Sequence, residues 1–398
     1  SANVLAFDTT NFDTFIATLT PGELAQRGHA KSKRKDLRVV GLGVLVSETG
    51  HVPLLYRTYA GNGSDQAVLG ACLSGLAQLH EALDSAQSRQ PTAQRTVVRD
   101  GGFWSPQLEL DLGVAGYGSL ISLPLGHGAA QQALQMAAQR GAMKSLTGKL
   151  GEVRAARARI SVGTLDRTLI VIESQELLAG QKRGISVALR KAKEELAKLE
   201  RLIEAGRLTQ EQLKGRVDKA LAREHLSSFV VASVGGSDQA PTLQWHVDAA
   251  LRRELETTRL GRRVLCTDRH DWSTGRIVYA FRGQWNVEEV FRRAKKGGVV
   301  PWGPSHQWAD GSLRLHTFAT VLGLMLVSLA KLALASELSA RRMMEELAQI
   351  NATLVRTATG NMGRRPTVML APELSKAQRK AVKVFELERW FPSVLSCT

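Results

Sequence analysis

The chain has 398 residues, 43% of them hydrophobic, which is enough for a sizeable core and for two or three domains. Its 53 basic residues outnumber 37 acidic ones and leave a formal charge of +16; such an excess calls for an anionic partner, nucleic acid first and a membrane surface second. Three cysteines, Cys72, Cys266 and Cys397, stand far apart with no CxxC pair, which excludes a disulfide framework and a zinc site of that kind and fits a reducing cytoplasm.

The opening Ser1-Ala-Asn has no basic region followed by an apolar stretch, so no secretory signal is read there. Val4-Leu-Ala-Phe7 predicts a short buried strand ending at Asp8. The basic run Arg27 to Arg38 follows and is expected to be exposed; strands are expected at Val39 to Val46 and Val52 to Tyr59. Gly61-Asn-Gly-Ser-Asp65 reads as a turn whose Ser64 and Asp65 cap a helix running to about Leu83. Arg95 to Val98 is another buried strand, ending at Arg99-Asp100. Residues 136–160 are basic and read as loop or helix, Leu169 to Ile172 as a strand, and 184–224 as a helical hairpin broken at Gly206. Strands are expected at Phe229 to Val234, Leu243 to Val247 and Arg263 to Cys266, with a helix near Leu251 to Leu255. The end of the chain is mostly helical, with a basic linker at 360–366; Phe318 to Ala335, interrupted by Lys331, reads as a buried core helix rather than a membrane span.

Several chemistries are absent. Gly141 and Gly148-Lys149 have six residues between them and are followed by Leu150, so no phosphate-cradling loop of the Gly-x4-Gly-Lys-Ser/Thr kind exists. There is no Gly-x-Ser-x-Gly elbow and no His-Glu-x-x-His run, and His29, His127 and His316 read as structural. What recurs is an acidic residue at the end of a buried strand, at Asp8 and at Asp100. Singly, each reads as a turn or cap residue. Together, at neighbouring strand ends, two carboxylates can share a divalent cation, since Mg²⁺ prefers oxygen ligands.

The segment Val278 to Lys296 spaces Val278, Phe281, Trp285, Val287 and Phe291 as one amphipathic helix. On it Glu288 is surrounded by Arg282, Arg292, Arg293, Lys295 and Lys296. A metal-dependent enzyme acting on a polyphosphate backbone needs such a carboxylate among cations; a solvated helix with Glu–Arg pairs has the same pattern. Trp285 reads as a core residue of the buried face, or as a platform for a displaced base.

With strands, helix and strand in that order, Asp8 and Asp100 look like the first two ligands of an RNase H-like core, and Glu288 fits as the third. The chain resembles the DDE transposases of bacterial insertion sequences, in the branch with a Tyr-x2-Arg-x3-Glu-x6-Lys signature. Lys295 lies at the signature distance from Glu288, while Phe281 and Gln284 stand where the family has Tyr and Arg; Tyr279 and Arg282 are close by. Trp285-x-Val-Glu-Glu-x-Phe-Arg292, Phe7-Asp8-Thr9-Thr10, Arg27-Gly28-His29-Ala30-Lys31, Ala60-Gly61-Asn62 with Asp65, Asp100-Gly101-Gly102 and Cys266-Thr267-Asp268 agree with the same family.

The resemblance implies an α/β (α+β) fold: an RNase H-like mixed sheet with flanking helices, an inserted domain with strands and a helical hairpin, and a helical C-terminal region. Its boundaries are expected as 1–125 for the first part of the core, 126–262 for the insert, 263–335 for the closing part and 336–398 for the C-terminal helices. It further implies metal-dependent cleavage and strand transfer of DNA. Asp8, Asp100 and Glu288 are implied to hold two Mg²⁺ ions, with Mn²⁺ able to substitute. Lys295, Arg292, Arg282, Lys296 and Trp285 would contact DNA near the cut, and Arg27, Lys31, Lys33, Arg34 and Lys35 further away. The partners implied are transposon-end and target DNA and a second copy of the chain, not a membrane, in a bacterial cytoplasm. A catalytically inactive DNA-binding descendant and a nuclease of the same fold are the alternatives.

Overall fold

The first strand, β1 (Val4–Thr14), alternates buried side chains on both faces and runs on well past Phe7, because Thr9, Thr10, Phe12 and Thr14 keep the β-favouring pattern. In the computed structural model the described residues are 3–17, 19–87, 95–139, 141–146, 153–223, 225–295, 298–303, 305–351, 353–356, 367–370 and 373–390. Lys296 and the basic linker 360–366 lie outside them. After β1 come β2 (Arg38–Ser47), β3 (Pro53–Ala60), α1 (Asp65–Gly70), α2 (Leu73–Gln87), β4 (Thr96–Arg99), α3 (Pro106–Val114) and β5 (Gly118–Leu123). Next are α4 (Gly128–Ala137), β6 (Lys144–Leu146), β7 (Val153–Val162), β8 (Leu165–Ser174), α5 (Gln175–Glu204) and α6 (Gln210–Leu221). Then follow β9 (Val230–Gly236), β10 (Pro241–Val247), α7 (Ala249–Thr258), β11 (Arg262–Thr267), α8 (Thr274–Arg282) and α9 (Trp285–Ala294). The remainder is α10 (Asp310–Ala333), α11 (Ala340–Ala348), β12 (Thr353–Arg356), β13 (Thr367–Leu370), α12 (Lys376–Val384) and α13 (Leu387–Trp390).

The chain divides into two units, Ser1–Ser119 with Ala280–Thr398, and Leu120–Tyr279. In the first, the strand order is β3-β2-β1-β4, with β2 antiparallel to both β1 and β3 and β4 parallel to β1. Gly118, at the start of β5, donates to the Arg95 carbonyl beside β4 (2.7 Å). A mixed sheet with three antiparallel strands and a parallel fourth is the arrangement expected of an RNase H-like core. One core packs α9 and α10 on β1 and β2, through Ala6, Phe12, Val44, Val287, Phe291 and Leu324. Trp302 stacks on Phe12 with ring centroids 4.8 Å apart and donates its indole N–H to Thr317. On the other face Phe7 meets Phe103 edge-on at 5.4 Å.

The second unit orders its strands β5-β11-β8-β7-β6, antiparallel at β5–β11, β11–β8, β8–β7 and β7–β6. Its helical hairpin, α5 and α6, packs with β9, β10 and α7 around Leu196, Leu199, Leu213 and Phe229. Gly206 makes the turn in the left-handed region, φ 61°, and a reciprocal Thr209–Gln212 capping box starts α6.

Five expectations need correction. The helix after Gly61 is two helices, and Ser64 makes no side-chain cap; Asp65 instead accepts from the Tyr59 hydroxyl (2.8 Å). Residues 153–162 form a strand, not loop or helix: buried Val153, Ala155, Ile160 and Val162 share the strand with exposed Arg154, Arg157 and Arg159, whose charges mask the pattern. The segment 278–291 is not one helix: α8 and α9 meet at Gly283-Gln284, where i to i+3 bonds tighten the turn. The helix over Phe318 is not buried all round. α10 buries Leu313, Val321 and Leu324 but leaves Leu315, Phe318, Leu322, Leu326, Leu329 and Leu332 exposed, and its length and apolar content would suffice to cross a bilayer. The C-terminal region also holds an antiparallel β12–β13 pair, favoured by Thr353, Val355, Thr367 and Val368.

The residue before Asp100 is held by a fully buried ion pair. The Arg99 guanidinium pairs with Glu109 of α3 and donates to Ser119 Oγ (3.1 Å). Removing one partner leaves the other charge buried and uncompensated. Glu109→Ala is therefore expected to cost about 3–5 kcal/mol in urea unfolding; a loss below about 1 kcal/mol, the value of an exposed pair, would contradict this role for Arg99.

Candidate active site

The β1–β4 register determines where the two aspartates stand. Val4 pairs with Thr96, Leu5 with Val97 and Ala6 with Val98, a constant offset of 92 that Asp8 and Asp100 share. Asp100 continues β4 in extended backbone before the short turn Gly101–Phe103. The two carboxylates therefore stand side by side on neighbouring parallel strands about 4.8 Å apart, Asp8 inside β1 and Asp100 just past the end of β4, so the expectation that the first strand ends at Asp8 does not hold. The strand period places Asp8 on the same face as Ala6 and Phe12, the face on which α9 packs.

α9 supplies the third acid. Val287, Val290, Phe291 and Ala294 enter the core, and Trp285, Glu288, Arg292 and Lys295 follow one another at spacings of three, four and three on the exposed side. Glu288 lies in the first turn, where the helix dipole favours an anion. Glu289 is turned away: it pairs with Arg292 and with buried Arg293 (3.2 Å), which in turn donates to Ser328 (3.1 Å). Trp285 is not a core residue. It is 55% exposed, because the break at Gly283-Gln284 resets the helical phase, and it meets His51 edge-on at 5.1 Å.

Asp8 is largely buried and accepts a bond from the Thr9 amide (2.7 Å). Its carboxyl is pushed up to about 6, chiefly by burial; Lys31 and the Thr9 amide pull the other way, and the charges of Asp100 and Glu288 push it further up. All three acids thus share one electrostatic field. Among the described residues, no three His, Cys, Asp or Glu side chains stand close enough to ligate one ion as placed. The donor chemistry nonetheless fits a hard divalent cation: three carboxylates, one of them held back from ionising by burial and by the other two, are relieved by positive charge.

Lys31 is the cation that the fold brings here. Its ammonium donates to the Thr9 carbonyl and its charge acts on Asp8. The loop carrying it is tied to β1 through Asn11, which donates to the His29 carbonyl (2.8 Å) and accepts from the Lys31 amide (2.9 Å). Gly28 and Gly61 let this loop touch the next: a Cβ on Gly28 would lie 1.9 Å from the Gly61 carbonyl oxygen. The sequence groups Lys31 with Arg27, Lys33, Arg34 and Lys35 as distant contacts. The structure separates it from them. All five are exposed, but Lys31 is bonded to the Thr9 carbonyl beside Asp8, whereas Arg34 pairs with Asp36. Arg282 and Lys295 are exposed at the two ends of the α9 segment. The fold of Asn11 back onto a loop eighteen residues away has no signal in local sequence.

No family model matches this chain, and no curated protein matches it. Among solved structures it is similar to the cryo-EM structure of a piggyBac transposase synaptic complex with hairpin DNA, at 9% identity and a TM-score of 0.41, over 86% of this chain and 51% of that one.

The Asp8 carboxyl gives a pH test. Ionisation begins near 3.8 in the unfolded chain and near 6 in the fold, so the stability held by the protonated form is complete below 3.8 and is lost as the pH rises through 6. The penalty above pH 6 is about 3 kcal/mol. In chelator-treated protein, Asp8→Asn is expected to melt several degrees above the parent at pH 8 and level with it at pH 4. An equal difference at both values would contradict the raised Asp8.

Proposed function

We propose that this chain is the catalytic core of a DNA transposase that cleaves and joins phosphodiesters with a divalent metal. The observation that carries the reading is the cluster of Asp8, Asp100 and Glu288 in one field, on an RNase H-like strand order. Asp8, Asp100 and Glu288 would hold Mg²⁺, with Mn²⁺ as a substitute; a bound ion would polarise a phosphoryl oxygen and lower the pKa of its water. The chain's own cations divide the rest of the work. Lys31 holds positive charge beside Asp8, and Arg282 and Lys295 would bind phosphates on either side of the cut. Arg292, tied to Glu289, would present its guanidinium in a fixed direction, and the exposed ring of Trp285 offers a face for base stacking. DNA ends and target DNA are the substrates in this reading, and pairing two ends calls for two copies of the chain.

The test is cleavage and strand transfer on supercoiled and linear DNA with Mg²⁺, for the parent and for Asp8→Ala, Asp100→Ala and Glu288→Ala. Each substitution is expected to lower the rate more than about 100-fold, beyond what removing a mere supporting partner costs. A fully active variant removes that residue from the site. Cleavage without joining leaves a nuclease, and DNA binding without either leaves an inactive descendant.

A further inference from the structure

A cavity lies far along the chain from these acids, between α5 and α6 of the second unit. It is a groove of about 590 Å³, and Lys191, Lys198, Arg216, Lys219 and Arg223 line it. Ala192 and Ala220 line it where larger apolar side chains would fill the space between the helices. All five cations are exposed, and among the described residues none of them forms an ion pair. Glu194 and Glu195 also line the groove, and Glu194 is already engaged by Arg190 (3.1 Å).

The two walls are fixed by packing. Ile185, Ala192, Leu196 and Leu199 of α5 share one core with Leu213, Val217 and Leu221 of α6. The Trp245 indole N–H, from β10, donates to Glu200 and braces α5 from outside (2.9 Å). Lys191 and Lys198 are two turns apart on one face, about 10.5 Å along the axis. Arg216, Lys219 and Arg223 follow at spacings of three and four along the other wall. The result is two short rows of positive charge at set separation, with side chains that no described neighbour neutralises.

We propose that this groove binds the phosphodiester backbone of a nucleic-acid duplex, without regard to sequence. A single small anion needs one or two donors, whereas five cations in two rows match an extended polyanion. No aromatic side chain lines the groove, and its two leucines, Leu199 and Leu202, are taken up by the hairpin core, so the groove lacks the exposed apolar anchor that a protein partner's interface core would require. The net charge of +16 points the same way. The site does not depend on the metal-site reading.

The experiment measures binding of the full chain to a random-sequence duplex by fluorescence anisotropy over a range of KCl concentrations. The parent is compared with a triple variant, Lys191→Gln, Lys198→Gln and Lys219→Gln, and with the matching Lys→Arg triple. Every lysine–phosphate pairing that a substitution removes lowers the slope of log K against log salt by about 0.9. The glutamine triple is therefore expected to lose about 2.7 of slope and at least 10-fold in affinity near ~0.1 M salt, while the arginine triple keeps both. Melting temperatures of the variants confirm that the hairpin is intact. An unchanged slope in the folded glutamine triple overturns the proposal, and so does an equal loss in the arginine triple. Metal-dependent cleavage is read separately, so failure of the groove leaves the carboxylate site untouched.

Discussion

Everything at the candidate site depends on the parallel register of two strands. Because β1 and β4 pair with an offset of 92, Asp8 and Asp100 stand side by side, and the charge of Asp100 helps to hold the Asp8 carboxyl up. A slip of one residue would send Asp8 to the opposite face, among Phe7 and Phe103. Burial of Leu5, Phe7, Val97 and Val98 on both sides of the sheet holds the register against that slip. The electrostatic cost of bringing the acids together is thus supported by apolar packing one residue away.

The surroundings of the pair show how the fold manages like charge. α9 contributes its acid from an exposed row whose opposite side is sealed into the core, so Glu288 approaches without becoming buried. Its neighbour Glu289 is diverted into pairs with Arg292 and Arg293. Lys31 arrives on a loop that two glycines and Asn11 hold against the sheet. One of these cations partly compensates Asp8 and the others occupy the wrong acid, which leaves a cluster that is still short of positive charge.

Much of this is legible in the residues. Acids following apolar runs at Asp8 and Asp100 and an acid on a cation-rich helix at Glu288 are local patterns, and the succession of strands follows from apolar runs, though β1 runs on past Asp8 to Thr14. What local pattern does not carry is phase and long-range contact. The break at Gly283-Gln284 moves Trp285 out of the core, because a three-residue turn shifts every later position around the helix axis. The strand β7 escapes notice because Arg154, Arg157 and Arg159 alternate with its buried side chains and make the segment read as a basic loop or helix. Lys31 looks like one more residue of a basic run, since its tie to Asn11 exists only in three dimensions.

The central claim is that Asp8, Asp100 and Glu288 form one coupled carboxylate cluster. It is tested most directly by following the ¹³C carboxyl signal of Asp8 against pH in metal-free protein, in the parent and in Asp100→Asn and Glu288→Gln. An apparent pKa of about 6 is expected in the parent and a lower value in each variant, as each neighbouring charge is removed. An Asp8 titration that neither substitution moves would mean that the three acids do not share a site.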